Sequence, residues 1–330
     1  MEKQNEAAAK QPLPVLVTGG AGCIGSELVK ELLKKHDVTV LDNFSSGKKE
    51  HIEEFIGNPS FTLIEGDVLD KDVLDTATKG KDIVFHLAAN PDIKFIPGER
   101  TDKDLEQNTI ATHRVLDAMQ KNNVRKIVFS SSSVVYGKAD KMPTPEDYGP
   151  LKPTSLYGAS KVACEGLISA YCSMFGMKGW IFRFANIVGD KSRKKGRTVI
   201  SDFIYKLRQN PSELEILGDG KQSKSYMLVD DCVSGMLFAL EHAHDDVNIF
   251  NLSTTDAITV DRIAEIVTEE IGLTPEIKYT GNSGGWPGDI TRFLLDTAKL
   301  KKLGWATRYT SVEAVRTAAE RMLDKKTQSI

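Results

Sequence analysis

A tyrosine and a lysine stand four residues apart in Tyr157-Gly-Ala-Ser-Lys161, and a run of serines, Ser130 to Ser133, precedes them in the chain. On a helix, the i, i+4 spacing sets phenol and ammonium on one face, about one turn apart. A phenol with its ordinary pKa near 10 is no base at neutral pH unless a neighbouring positive charge favours the phenolate. Lys161 offers such a charge, and an oxidised nicotinamide ring would offer a second. The chemistry that suits this set is removal of a proton from a sugar hydroxyl by Tyr157. A serine of the 130–133 run holds that hydroxyl while hydride leaves the carbon for a bound acceptor. A Tyr-x-x-x-Lys also arises by chance in a chain of this size, and four serines also make an ordinary polar strand exit. The weight of the pattern comes from its place between the fifth and sixth predicted strands.

A second constellation lies at Val15-Leu-Val-Thr-Gly-Gly-Ala-Gly-Cys-Ile-Gly25, which reads as strand, glycine turn and helix start. Two registers fit: Gly20-x-Gly22-x-x-Gly25 and the wider Gly19-x-x-Gly22-x-x-Gly25. Both provide a turn free of Cβ atoms, where backbone N–H groups and the positive end of a helix dipole meet a pyrophosphate. Asp42 stands at the end of the second strand, about 20 residues on, where a carboxylate accepts hydrogen bonds from an adenosine ribose and repels a 2′-phosphate. Asn43 stands next to it in place of an arginine, so NAD is expected over NADP, with Lys48 and Lys49 the features that argue the other way. Asp67 and Val68 lie at the next strand end, within reach of the adenine. Each of these residues also has a plain reading, as a tight β-α turn that binds nothing or as a turn-forming acid.

The elements that must position these groups can be read from periodicity. From Pro14 the chain alternates short β-branched runs with stretches of helical period, the pattern of a parallel sheet covered by helices on both faces. Strands are expected at Val15–Thr18, Val38–Leu41, Phe61–Glu65, Ile83–Leu87, Lys126–Ser130, Trp180–Phe184 and Asn248–Leu252, in one doubly wound α/β Rossmann sheet. Helices are expected over Ile24–Lys35, Asp104–Lys121 and Val199–Gln209, and from about Val229. The alternation weakens after Phe184, so a smaller, discontinuous α/β domain is expected over about 185–226 plus 254–330. The dinucleotide-binding domain then comprises 13–184 plus about 227–253, and residues 1–12 form a loose tail. With 43 basic and 46 acidic side chains the net charge is −3, which gives no reason to expect nucleic acid. No apolar run suggests a membrane helix. The four cysteines, Cys23, Cys164, Cys172 and Cys232, show no metal-ligand spacing and read as reduced thiols of a cytoplasmic protein. No metal is expected.

Taken together, Gly19-x-x-Gly22-x-x-Gly25, Asp42, His86-Leu-Ala-Ala89, the serine run before Val135-Tyr136-Gly137, and Tyr157-x-x-x-Lys161 resemble the extended short-chain dehydrogenases/reductases of the nucleotide-sugar epimerase/dehydratase group. The resemblance runs from about Val15 to Trp305, and its pattern is most like that of the UDP-glucose 4-epimerases. It implies transient oxidation at C4 of a nucleotide sugar, UDP-glucose or UDP-galactose first, with hydride returned to the other face. It makes Ser132 the hydroxyl-orienting serine, with Ser133 beside it. It places Cys23, Ile24, Leu87, Ala88, Ala89, Asn108 and Ser130 around the cofactor, and gives Lys161 a bond to the nicotinamide ribose. Asn186 is implied at the nucleotide-sugar phosphates and Val199 and Ile200 against the base. A homodimer is implied as well, formed by the helices at Asp104–Lys121 and Tyr157–Phe175.

Two departures concern the substrate. Relatives often carry an arginine where Lys224 stands and another where Trp286 stands, both on diphosphate; lysine keeps the charge but loses the bidentate fork. Arg292 or the basic loop Lys191–Arg197 is then expected to supply the missing cation. Ser132-Ser133-Val134 replaces the Thr-Asp-Glu of the sugar dehydratases, which removes the extra acid and base that loss of water needs. The remaining alternatives are a 4-epimerase of UDP-glucuronate or a UDP-N-acetylhexosamine, a nucleotide-sugar dehydratase or decarboxylase, and a catalytically silent NAD-binding regulatory protein.

Overall fold

The computed structural model describes residues 12–92, 98–191, 198–281 and 290–323. The β-branched runs form β1 (Pro14–Thr18), β2 (Asp37–Asp42), β3 (Phe61–Glu65), β4 (Ile83–His86), β5 (Lys126–Ser132) and β6 (Lys178–Phe184). Shorter strands come next: β7 (Asn186–Val188), β8 (Glu213–Ile216), β9 (Ser223–Lys224) and β10 (Tyr226–Leu228). The chain continues through β11 (Val247–Leu252), β12 (Ile258–Thr259), β13 (Glu276–Tyr279) and β14 (Arg292–Phe293). The helices are α1 (Cys23–Leu32), α2 (Lys71–Thr78), α3 (Ala111–Lys121), α4 (Leu156–Phe175), α5 (Val199–Gln209), α6 (Val229–His242), α7 (Val260–Ile271), α8 (Ala298–Leu303) and α9 (Ser311–Leu323).

All seven expected strands meet in one parallel sheet of order β11-β6-β5-β4-β1-β2-β3. Alternation along each strand feeds two cores. Val15 and Val17 of β1 pack with Leu28 of α1 and Val233 of α6 on one face, while Leu16 packs with Leu116 of α3 and Ile168 of α4 on the other. Strand order reverses between β1 and β4, which opens a crevice at the carboxyl ends of the strands, where doubly wound sheets bind ligands.

The expected helix over Asp104–Lys121 is two pieces. Leu105–Ile110 is a π-helix and α3 continues from it. The wider turn rotates the apolar stripe, so Leu105 and Ile110 face out, 54% and 38% exposed, while Val115 and Met119 are fully buried. This is why the stripe looks only approximate in sequence.

A separate apolar core joins α5, α7 and α9, with Ile200, Phe203, Ile263 and Val315 at its centre. The sequence assigned all of 254–330 to this lobe, and there the structure differs. Leu300 of α8 and Trp305 pack into the large core, and Leu295 packs with Tyr136 and Ala185. The physical reason is Gly235 on α6: a Cβ there would meet the Trp305 indole at 3.0 Å, so glycine leaves the room that the ring fills. The indole N–H donates to Ser234 Oγ at 3.2 Å. Among the described residues no helix is long and apolar enough to cross a membrane, and no cluster of side chains has the makings of a metal site.

Candidate active site

The crevice is lined at the carboxyl ends of the strands: by the glycine turn after β1, Asp42 and Asn43 at the end of β2, Asp67 and Val68 after β3, Leu87 to Ala89 after β4, and Ser130 and Ser131 on β5. Tyr157 and Lys161 reach the same crevice from α4. The glycine turn is tight on steric grounds. A Cβ on Gly25 would lie 2.2 Å from Gly19 O, and one on Gly19, whose φ is +73°, would lie 2.6 Å from the Ala88 amide nitrogen. The loop therefore lies against the Leu87–Ala88 backbone. Gly22 caps α1 without a side-chain acceptor, and the first turn of α1 holds no acid. The N-terminal end of α1 at Cys23 and Ile24, with the helix dipole behind it, thus opens on the crevice.

Asp42 is fixed at its rim. One carboxylate oxygen accepts from the Ala21 amide at 2.9 Å and the other from the Phe44 amide at 2.8 Å. Asn43 Nδ2 donates to Asp67 at 2.8 Å, tying the second and third strand ends together. Lys49, which argued for a 2′-phosphate in sequence, is paired with Glu65 at 2.7 Å.

Lys161 is buried, its Nζ donating to Ser130 O at 2.8 Å and sitting 5.6 Å from the centre of the Tyr157 ring. Burial draws its pKa down to about 8, against the raising influence of Cys164, Glu165 and Asp104. Tyr157 keeps part of its surface open to the crevice, yet the protein packed around it pushes its pKa well up. Asp104 and Cys164 add to that rise, and a hydrogen bond with Ser132 opposes it. Burial, with Asp104 and Cys164, thus leaves the phenol protonated in the protein alone; the spacing of Lys161 does not by itself produce the phenolate. Desolvation outweighs it.

His86 is fully buried beneath the glycine turn. The Ala88 amide donates to Thr18 Oγ1 at 3.3 Å, and Thr18 Oγ1 lies 2.7 Å from His86 Nδ1. On the other side Thr112 Oγ1, 3.1 Å from Nε2, donates to Cys164 Sγ at 3.2 Å. This order assigns the proton to Nε2. Burial, helped by nearby Lys161, lowers the His86 pKa to about 3, so the ring is neutral.

The family described as "NAD dependent epimerase/dehydratase family" matches residues 15–253. The chain belongs to this family. It is 36% identical over 297 residues to a putative UDP-glucose 4-epimerase of Methanocaldococcus jannaschii, a match covering 88% of this chain and 92% of that protein. A crystal structure of a UDP-galactose 4-epimerase superposes with TM-score 0.84 at 40% identity, covering 96% of this chain and all of the other. The UDP-glucose 4-epimerase of Thermotoga maritima with UDP-glucose superposes with TM-score 0.86 at 30% identity, covering 96% and 100%.

As a member of this epimerase/dehydratase family the chain uses NAD. The crevice fits it: the glycine turn excludes Cβ atoms, the α1 N-terminus carries no side-chain cap, and Asp42 stands where a ribose is expected. Asn108 is not part of the crevice lining. Its side chain accepts from the Asn90 amide at 2.8 Å and donates to Ser160 Oγ at 2.9 Å, bracing the π-helix against α4. Ser132 also lies off the lining and reaches the site through Tyr157. Ser133 is buried.

The residues expected on the substrate are dispersed. Asn186 is on β7, where its Nδ2 donates to Ser225 O at 3.1 Å. Ile200 is fully buried in the small core, where the Thr198 capping box turns it inward, so it presents no surface for the expected base contact; Val199 is partly exposed. Lys224 and Arg292 come together on neighbouring strands, Arg292 opposite Ser223 and Phe293 opposite Lys224. Lys191 donates to His51 O at 3.2 Å. Residues 192–197 and Trp286 lie outside the described residues. Sequence reasoning missed Ser45, Ser46, Gln107 and Phe184, which also line the crevice, because ordinary residues in a loop, on the π-helix or at a strand end carry no motif. It also missed the buried Glu165–Arg183 pair.

Proposed function

We propose that this protein interconverts UDP-glucose and UDP-galactose by 4-epimerisation. The observation that carries the reading is Tyr157 and Lys161 lining the crevice from α4, with Ser132 hydrogen-bonded to Tyr157 beside it, in a chain whose relatives bear the epimerase name. NAD, when bound, supplies a reversible hydride acceptor at the sugar C4 and a positive ring charge. The glycine turn with the Cys23 and Ile24 amides holds the pyrophosphate, and Asp42 the adenosine ribose. Asn43, Asp67 and Val68 flank the adenine, and Leu87, Ala88, Ala89 and Ser130 form the wall near the pyrophosphate and nicotinamide. Ser132 orients the C4 hydroxyl and Tyr157 removes its proton. Lys161, charged below about pH 8, supports the phenolate and bonds the nicotinamide ribose. Asn186, Lys224 and Arg292 meet the diphosphate, and Val199 the base. The two lobes act as a dinucleotide-binding and a nucleotide-sugar-binding unit of a cytoplasmic homodimer.

The test is to incubate purified protein with UDP-glucose and, separately, UDP-galactose, and to follow the anomeric NMR signals without added reductant. Convergence of both on one mixture is expected. Accumulation of NADH or a 4-keto product instead would replace epimerisation by net oxidation or dehydration.

A further inference from the structure

Behind the crevice lies a buried ion pair that the epimerase chemistry does not use directly. Glu165 is on α4, four residues beyond Lys161 and eight beyond Tyr157, so the three share one helical face. Its carboxylate is gripped by Arg183 of β6 in a fork: Nε to Oε1 at 3.0 Å and Nη2 to Oε2 at 2.7 Å. Both side chains are more than nine-tenths buried. Oε1 also accepts from Ser131 Oγ at 2.5 Å. Three successive residues of β5 are thereby docked on α4: Ser130 through its carbonyl on Lys161, Ser131 on Glu165, and Ser132 on Tyr157.

Arg183 carries the connection further. Its Nη1 donates to Glu146 O at 3.0 Å, and its guanidinium lies 4.7 Å over the Tyr136 ring. The Tyr136 hydroxyl donates to Asn251 at 2.7 Å. Asn251 Nδ2 in turn holds the carbonyls of Thr144 and Asp296, both at 2.9 Å. Thr144 also accepts from the Asp296 amide and donates its own amide to Leu294 O. That segment continues directly from β14, which bears Arg292.

We propose that Glu165 and Arg183 are a positioning pair: their fork and the Ser131 bond set the register of α4 against β5, fixing Tyr157 over Ser132, and tie that register to the strand carrying Arg292. The proposal rests on the epimerase reading for its kinetics. A bidentate fork resists sliding of α4 in a way that an apolar contact does not. A buried ion pair is poor evidence of a stability role, because a well-packed apolar pair serves stability as well. Removing one partner alone leaves an uncompensated buried charge and confuses folding with positioning.

The informative variants are therefore Glu165→Leu with Arg183→Met, which deletes both charges, and Ser131→Ala, which keeps the fork. In the NAD-loaded double variant the melting temperature is expected near that of wild type. Its kcat on UDP-galactose falls ~10²-fold, the loss that a displacement of about 1 Å produces, with KM within about threefold. Ser131→Ala loses about threefold to tenfold in kcat without a change in melting temperature. A double variant with both wild-type kcat and wild-type stability overturns the proposal. Substrate-independent evidence comes from hydrogen exchange in the same NAD-loaded protein. Amides of the Tyr157–Lys161 turn should exchange roughly tenfold faster while those of α1 do not change; unchanged exchange at that turn also overturns it. A wild-type protein inert toward UDP-galactose would sink the substrate reading alone, and the exchange experiment would then decide the positioning pair.

Discussion

At the scale of single residues, burial governs the titrating groups of this site more than the charges that a sequence displays. Tyr157 and Lys161 are both driven toward their neutral forms by the protein around them. Tyr157→Phe is expected to reduce kcat by about 10²–10⁴-fold, the usual worth of a general acid or base, while NAD content per chain is retained. Turnover and cofactor absorbance on the same preparation check both halves. His86 has a folded pKa of about 3 against an ordinary 6.5. Between those values the unfolded chain takes up a proton that the folded chain refuses, so stability falls as pH drops below about 6.5 and continues to fall toward 3. Denaturant titrations from pH 7 to pH 4 should show this slope, and His86→Asn should flatten it by up to one proton. An unchanged slope would remove His86 from the account.

At the scale of elements, the glycine turn and the start of α1 act as one unit whose shape is set by contacts across the β1–β4 boundary. A methyl group at Gly25 collides with the backbone of Gly19 and Gly20, neither of which has a flexible side chain to yield. Gly25→Ala is therefore expected to lose its bound NAD on gel filtration and to be destabilised by about 1–3 kcal/mol, as overpacking generally is. The same substitution at Gly166 on α4, where a Cβ meets nothing within 4 Å, should leave NAD content unchanged. Retention of NAD by Gly25→Ala would mean that the turn is looser than these contacts imply.

At the scale of the whole molecule, the π-helix turns Leu105 and Ile110 outward beside α4, which exposes Leu156 and Met174, the latter by 72%. A second copy of the chain is the proposed cover for this face. Leu105→Glu combined with Met174→Glu is expected to convert the dimer to a monomer by light scattering while leaving the fold intact by circular dichroism. A wild-type protein that is already monomeric would exclude the dimer. The two lobes of one chain are joined differently. Asp231 of α6 pairs with Arg308 at 2.7 Å and Asp230 with Arg321 at 2.7 Å, and Trp305 threads back into the large core.

The sequence by itself determined the seven strands of the sheet, the glycine turn with Asp42, and the pairing of Tyr157 with Lys161, since each of these is a local pattern of period or spacing. It did not determine the π-helix, because one extra residue per turn leaves no mark in a sequence whose apolar stripe merely looks imperfect. Nor did it reveal that Ile200 is core, that Trp305 returns to the large lobe, or that Lys49 is paired with Glu65; these depend on partners distant in the chain. The protonation of Tyr157, Lys161 and His86 belongs to the tertiary structure for the same reason. Desolvation depends on how completely the packed chain surrounds a group, and no local spacing encodes that.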